Sequence, residues 1–108
     1  MDMSFQEAVN LYLDIVKRFE KIEQRAWGAE GAMIELSKQV GQLAKHVMQQ
    51  ENYYCYAGGE DNIKNIEDEL ADIFGQIIRI ASCYNIDILM AHINARKGED
   101  NFLKSRGV

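Results

Sequence analysis

Apolar side chains recur every three or four positions along most of this chain, with polar residues filling the opposite arcs, the pattern of amphipathic helices. The first such stretch carries Phe5, Val9, Tyr12, Ile15, Val16, Phe19 and Ile22. Ser4 followed by Glu7 has the spacing of a capping box, in which each residue satisfies a free backbone N–H of the other, so a helix is predicted over 4–24. Residues 25–31 contain Trp27 followed by two glycines, Gly28 and Gly31, and read as a connection. A second helix then starts near Glu30 or Gly31. It has an apolar stripe at Leu36, Val40, Leu43 and Val47, and an arc of Glu35, Lys38, Gln39, Gln42, Lys45, His46 and Gln49 on the other side.

Periodicity fails over 52–62, where Tyr53, Tyr54, Cys55, Tyr56 and Gly58-Gly59 form an aromatic loop that ends at a helix cap near Asn62. A third helix is predicted over 62–84. Ile66, Leu70, Ile73, Ile77 and Ile80 line one side, Asn65, Glu69, Asp72, Gln76 and Arg79 the other, and Phe74 and Ile78 widen the apolar arc. Asn85 or Asp87 caps a fourth helix over 86–97, after which the tail from Gly98 reads as a short helix or an ordered arm. Gly41 and Gly75 fall inside the second and third helices, where glycine costs about 1 kcal/mol relative to alanine, so a close backbone crossing at these points is expected. Such an antiparallel crossing would bring Gln39, Gln42, Glu69 and Asp72 to one edge of the contact. The apolar arcs are wide for short helices, which points to burial by a second copy.

With 108 residues, no proline and many good helix formers, the chain has room for one domain over 1–108, and its class is all-α. A net charge of -5 with dispersed Lys and Arg excludes the basic face of a nucleic-acid binder, while leaving room for one small phosphorylated ligand. Two cysteines without a CxxC spacing suit a reduced interior. The acidic start Met1-Asp2-Met3-Ser4 and the lack of a run of about 20 apolar residues point to a cytoplasmic protein with no membrane partner.

The candidate chemistry lies in Glu69-Leu70-Ala71-Asp72. Residues three apart on a helix share a face, so two carboxylates can close on one hard cation, although an ExxD pair also occurs on many solvated helices. The facing helix offers Gln39-Val40-Gly41-Gln42, whose amides supply neutral oxygens only. His46 and His92 lack partners at zinc-site spacing and read as surface residues. Gly58-Gly59 lacks the Lys-Ser or Lys-Thr of a phosphate loop, and no nucleophilic Ser or Cys motif is present.

From Trp27 to Arg106 the order of features resembles the MazG-like all-α nucleoside triphosphate pyrophosphohydrolase superfamily. Trp27 precedes Lys38-Gln39-Val40-Gly41-Gln42-Leu43-Ala44-Lys45, where the family reads E-E-V-G-E-L-A. Asp68-Glu69-Leu70-Ala71-Asp72-Ile73-Phe74 follows, where it reads E-E-L-A-D-V-L, and Asn101, Lys104 and Arg106 stand where it has a basic K-N tail. The resemblance implies a four-to-five-helix bundle completed as a homodimer or homotetramer. It also implies Mg2+ (Mn2+ possible) as cofactor, and hydrolysis of a nucleoside triphosphate to monophosphate and pyrophosphate.

Carried over by position, Glu69 and Asp72 are the metal ligands, and Gln39 and Gln42 replace both acids of the first pair at catalytic positions. Loss of two charges should weaken Mg2+ capture, with Glu35 as a substitute acid one turn away. Lys38, Lys97, Asn101, Lys104 and Arg106 are candidates to meet phosphate; the tail residues read equally as favourable charges near a helix C-terminus. Trp27 and the Tyr53, Tyr54, Tyr56 group could stack on a base or plug a core. Two other readings stand beside the hydrolase: a catalytically degenerate relative that binds a nucleotide or protein, and a helical bundle without a ligand.

Overall fold

The computed structural model describes residues 2–54 and 62–108. Four helices and no strand occur among them: α1 (Phe5–Glu20), α2 (Ala29–Gln50), α3 (Ile63–Cys83) and α4 (Ile88–Ser105). The protein is all-α. At the start of α1 both halves of the capping box form, with the Glu7 backbone N–H donating to Ser4 Oγ at 3.1 Å and the Ser4 N–H donating to a Glu7 carboxylate oxygen at 3.2 Å. The helix ends four residues earlier than its apolar period suggests, and residues 21–28 make a longer connection.

The ends of α2 and α3 share a device. Asn52 and Asn85 adopt positive φ (60° and 55°), and the N–H of the next residue reaches back to the carbonyl five positions earlier, Tyr53 to Met48 and Ile86 to Ala81. Asparagine tolerates this left-handed turn, which caps the last free carbonyls of a helix. At the start of α4 the Asp87 side chain accepts from the Met90 N–H at 3.0 Å. Asn62 begins α3 without a side-chain cap. Instead its own N–H donates to Gln50 Oε1 at 2.9 Å, which ties the start of α3 to the end of α2.

That tie, and the approach of His46 to Glu69 further along, show that α2 and α3 run antiparallel. They form the main packed pair, and α1 adds a smaller contact on α3. Phe5 and Tyr12, two turns apart on α1, meet the adjacent residues Phe74 and Gly75, so α1 crosses α3 steeply. Only Gly75 has the tight neighbour expected of a mid-helix glycine. A Cβ there would lie 2.8 Å from the Tyr12 ring, whereas one at Gly41 would meet nothing within 4 Å. The close approach at Gly75 therefore comes from α1, not α2.

Helix α4 departs from α3 at a bend of 103° and buries none of its residues. It runs unbroken through Gly98 to Ser105, so the expected tail is the second half of one helix. The largest departure from the sequence pattern concerns the apolar stripes. Val40 and Val47 on α2, and Leu70, Phe74 and Ile77 on α3, are exposed, and the residues buried between the helices include Gln39 and Gln76. Among the described residues the buried apolar ones are Val9, Val16, Ala32, Ile78 and Ala81, and no large side chain is fully enclosed. No single helix among the described residues is long and apolar enough to cross a membrane.

Candidate functional site

Antiparallel pairing sets the polar arc of α3 against that of α2. Gln39 retains 7% exposure and stands with Gln76 toward one end of the contact, and two turns away His46 Nε2 lies 3.9 Å from Glu69 Oε1. That last contact joins opposite charges only when the imidazole is protonated. Four buried polar atoms in this seam have no protein partner: Gln39 Oε1, Gln76 Oε1, Glu69 Oε2 and His46 Nδ1. Unpaired buried acceptors cost about 1–3 kcal/mol each unless water or a ligand meets them, so these atoms call for a polar partner, for which water suffices.

His46, expected on the surface, is half-buried here because Glu69 sits across from it. His92 is exposed on α4, as its spacing suggested. Gln42 and Asp72 are exposed, whereas Gln39 is buried and Glu69 half-buried. The Gln39 amide donates to Glu35 Oε1 at 3.3 Å, and Lys38 Nζ lies 2.9 Å from the same oxygen. Glu35 is thus engaged by both neighbours rather than turned toward Glu69.

Beyond Gln76 the polar stripe of α3 ends in Arg79, where it meets the connection after α1. One Arg79 nitrogen, Nη2, donates to both carboxylate oxygens of Glu23, at 3.2 and 3.3 Å, and the guanidinium lies 4.9 Å from the centre of the Trp27 ring. Both partners of this ion pair are largely withdrawn from solvent. A cavity of 590 Å³ opens beside them, lined among others by Tyr12, Glu23, Trp27, Glu35, Gln76 and Arg79. Its volume lies within the range of small-molecule sites, about 300–1,000 Å³.

Burial pushes the Tyr12 phenol above its ordinary range. Arg79 pulls it down and Asp72 pushes it up, so the ring feels both the cavity's cation and the acidic pair. Arg79 and Gln76 were visible in the sequence as members of the polar arc, but the 56-residue separation between Arg79 and Glu23 gave no signal of their pairing.

The other candidates lie apart. Lys97, Asn101, Lys104 and Arg106 are exposed, and Lys104 pairs with Asp100 at 2.7 Å. Lys104 stands about 24 Å along α4 from its start, on a helix that turns away from α3. Within one chain the basic tail is therefore not brought to the acidic pair. Tyr53 is exposed and Tyr54 half-buried, near the end of α2. Tyr56, Cys55 and Gly58-Gly59 lie outside the described residues. Cys83 is a free, exposed thiol at the end of α3.

Among the described residues no group of three or more His, Cys, Asp or Glu side chains converges as a metal site. The orphaned oxygen of Glu69 and the neighbouring Asp72 supply two anionic donors. Mg2+ normally keeps several waters and takes further oxygens from substrate phosphates, so this pair fits an ion that arrives with its substrate better than one held by the protein alone. A comparison with known protein families, curated proteins and solved structures returned no match.

Proposed function

We propose that this protein is a MazG-like nucleotide-binding protein in which Mg2+-dependent pyrophosphohydrolase activity is attenuated. The observation that carries the reading is the unbroken polar stripe of α3, Glu69, Asp72, Gln76 and Arg79, which runs from the acidic pair to the cavity beside Trp27. A base and sugar occupy that cavity, with Gln76 among its lining residues and Trp27 offering an aromatic surface. The phosphates extend toward Glu69 and Asp72, which would hold Mg2+; the ion would supply charge neutralisation for hydrolysis of the triphosphate to monophosphate and pyrophosphate. Gln39 and Gln42 hold water or phosphate through neutral groups, and Lys38 contributes at the rim.

Attenuation follows from charge. Two carboxylates where the family has four leave less electrostatic pull on the ion and on the transition state. The Gln39–Glu35 bond favours a second reading, a degenerate relative that binds without turnover, because a glutamate at position 39 could not donate to Glu35 and would repel it.

Pyrophosphate release from a panel of ribo- and deoxyribonucleoside triphosphates, with Mg2+ or Mn2+, tests the catalytic reading. Weak turnover that disappears in Asp72→Asn is expected. Turnover by none of them, with the protein folded, ends it. Gln39→Glu combined with Gln42→Glu should tighten Mg2+-nucleotide binding about tenfold or more by calorimetry. Activity that arises only in that double variant favours the degenerate relative. Absence of binding heat in the parent removes both readings.

A further inference from the structure

We infer that His46 ligates a metal ion together with Glu69, and that the seam between α2 and α3 therefore binds a transition ion such as Mn2+ or Co2+ more tightly than Mg2+. The inference rests on the reading that a metal lies at the acidic pair. It adds to that pair a nitrogen ligand, from a residue whose spacing alone placed it on the surface.

The first support is a distance. His46 Nε2 and Glu69 Oε1 face each other across 3.9 Å, beyond the reach of a direct hydrogen bond, which closes to about 2.7–3.2 Å. Bonds from a first-row ion such as Zn2+ to an imidazole nitrogen or a carboxylate oxygen are each about 2.0–2.2 Å long, so two in series reach about 4.2 Å. One ion spans this gap with both helices where they stand. The other polar atoms of the same groups, His46 Nδ1 and Glu69 Oε2, are buried without a protein partner, so no other contact fixes either side chain. No lysine or arginine among the described residues pairs with Glu69, which leaves its charge for a cation. The two side chains keep 21% and 15% of their surface exposed, so the gap is withdrawn from bulk water yet open to an entering ion.

The donor set then selects the ion. Mg2+ takes oxygen ligands in strict octahedral geometry, whereas an imidazole nitrogen suits the first-row transition ions. On the polar arc of α2 stand Gln39, Gln42 and His46, two carboxamides and one imidazole. Of these the imidazole is the better metal donor, and it is the one that lies opposite Glu69. It raises affinity for Mn2+ or Co2+ without replacing the two negative charges on which Mg2+ capture depends. Two protein ligands leave the remaining positions to water and phosphate oxygens. The other histidine of the chain, His92, is exposed on α4 beside Arg96 and takes no part.

Pulsed electron paramagnetic resonance of the untagged full chain loaded with MnCl2 tests the inference. A coupling from a directly bound imidazole nitrogen is expected in the parent and in His92→Gln, and its loss in His46→Gln. Calorimetry should show the Mn2+ dissociation constant raised about tenfold or more by His46→Gln and that of Mg2+ raised less than about threefold, because only the transition ion uses the nitrogen. If His46→Gln loses its helical signal, the parent and His92→Gln decide, since the chain has no third histidine. Bound Mn2+ without nitrogen coupling, a coupling that disappears in His92→Gln, or no bound Mn2+ at all overturns the inference. The first of these, with binding lost in Asp72→Asn, leaves the acidic pair as the metal site and the proposed function standing. A nitrogen coupling from His46 in a chain that binds no nucleotide keeps the inference and ends the nucleotide reading.

Discussion

Arg79 is the charged residue with most at stake in the described structure. It sits in an isoleucine-rich stretch of α3, and Glu23 and Trp27 together make its burial tolerable. Removal of one partner from a buried ion pair leaves the other charge unmatched, so Arg79→Ala should lower unfolding stability by about 3 kcal/mol in urea denaturation. Tyr12 adds a dependence on pH. Its folded phenol holds its proton more tightly than the unfolded value of 10.0, chiefly because burial disfavours the phenolate. This contribution to stability is present in full below pH 10.0 and is lost as pH rises through the folded value. Urea midpoints should therefore fall above that pH in the parent, and the fall should be smaller in Tyr12→Phe. The sequence placed Arg79 on the correct arc by helical period alone. It could not supply Glu23, because an arginine in a helix carries no mark of which distant carboxylate will reach it.

Helix boundaries were legible where local chemistry sets them. The Ser4 and Glu7 capping box and the Asp87 cap both form as their spacing indicates. Ends governed by backbone conformation were harder to see. Apolar period carried α1 too far, and Gly98 does not stop α4, since a glycine stops a helix only when it adopts the left-handed turn. Asparagine performs that turn after α3. Asn85→Ala should cost about 1 kcal/mol and Asn85→Gly little or nothing, as read by the thermal midpoint, because only alanine adds strain at positive φ.

At the scale of the whole molecule the contrast is between an extended chain and an enclosed one. The radius of gyration is 17.6 Å, against about 13 Å for a closely packed domain of this length. If a second copy provides the missing enclosure, the thermal midpoint should rise with protein concentration over a hundredfold range, as mass action requires. A midpoint independent of concentration would indicate a self-sufficient fold. The hydrophobic period by itself determined that the chain is helical, where its helices lie and which side chains share an arc, because those properties follow from a rotation fixed by the backbone. Which arc turns inward was decided only by tertiary structure. The α2/α3 pair joins along Gln39, His46, Glu69 and Gln76 and leaves Val40 and Leu70 outside. A helix with two faces available for burial shows in its sequence that each can pack, and the order in which neighbours claim them depends on contacts between residues far apart in the chain. The acidic pair Glu69 and Asp72 was readable from three-residue spacing, while the cavity beside Trp27 required three separate segments to meet.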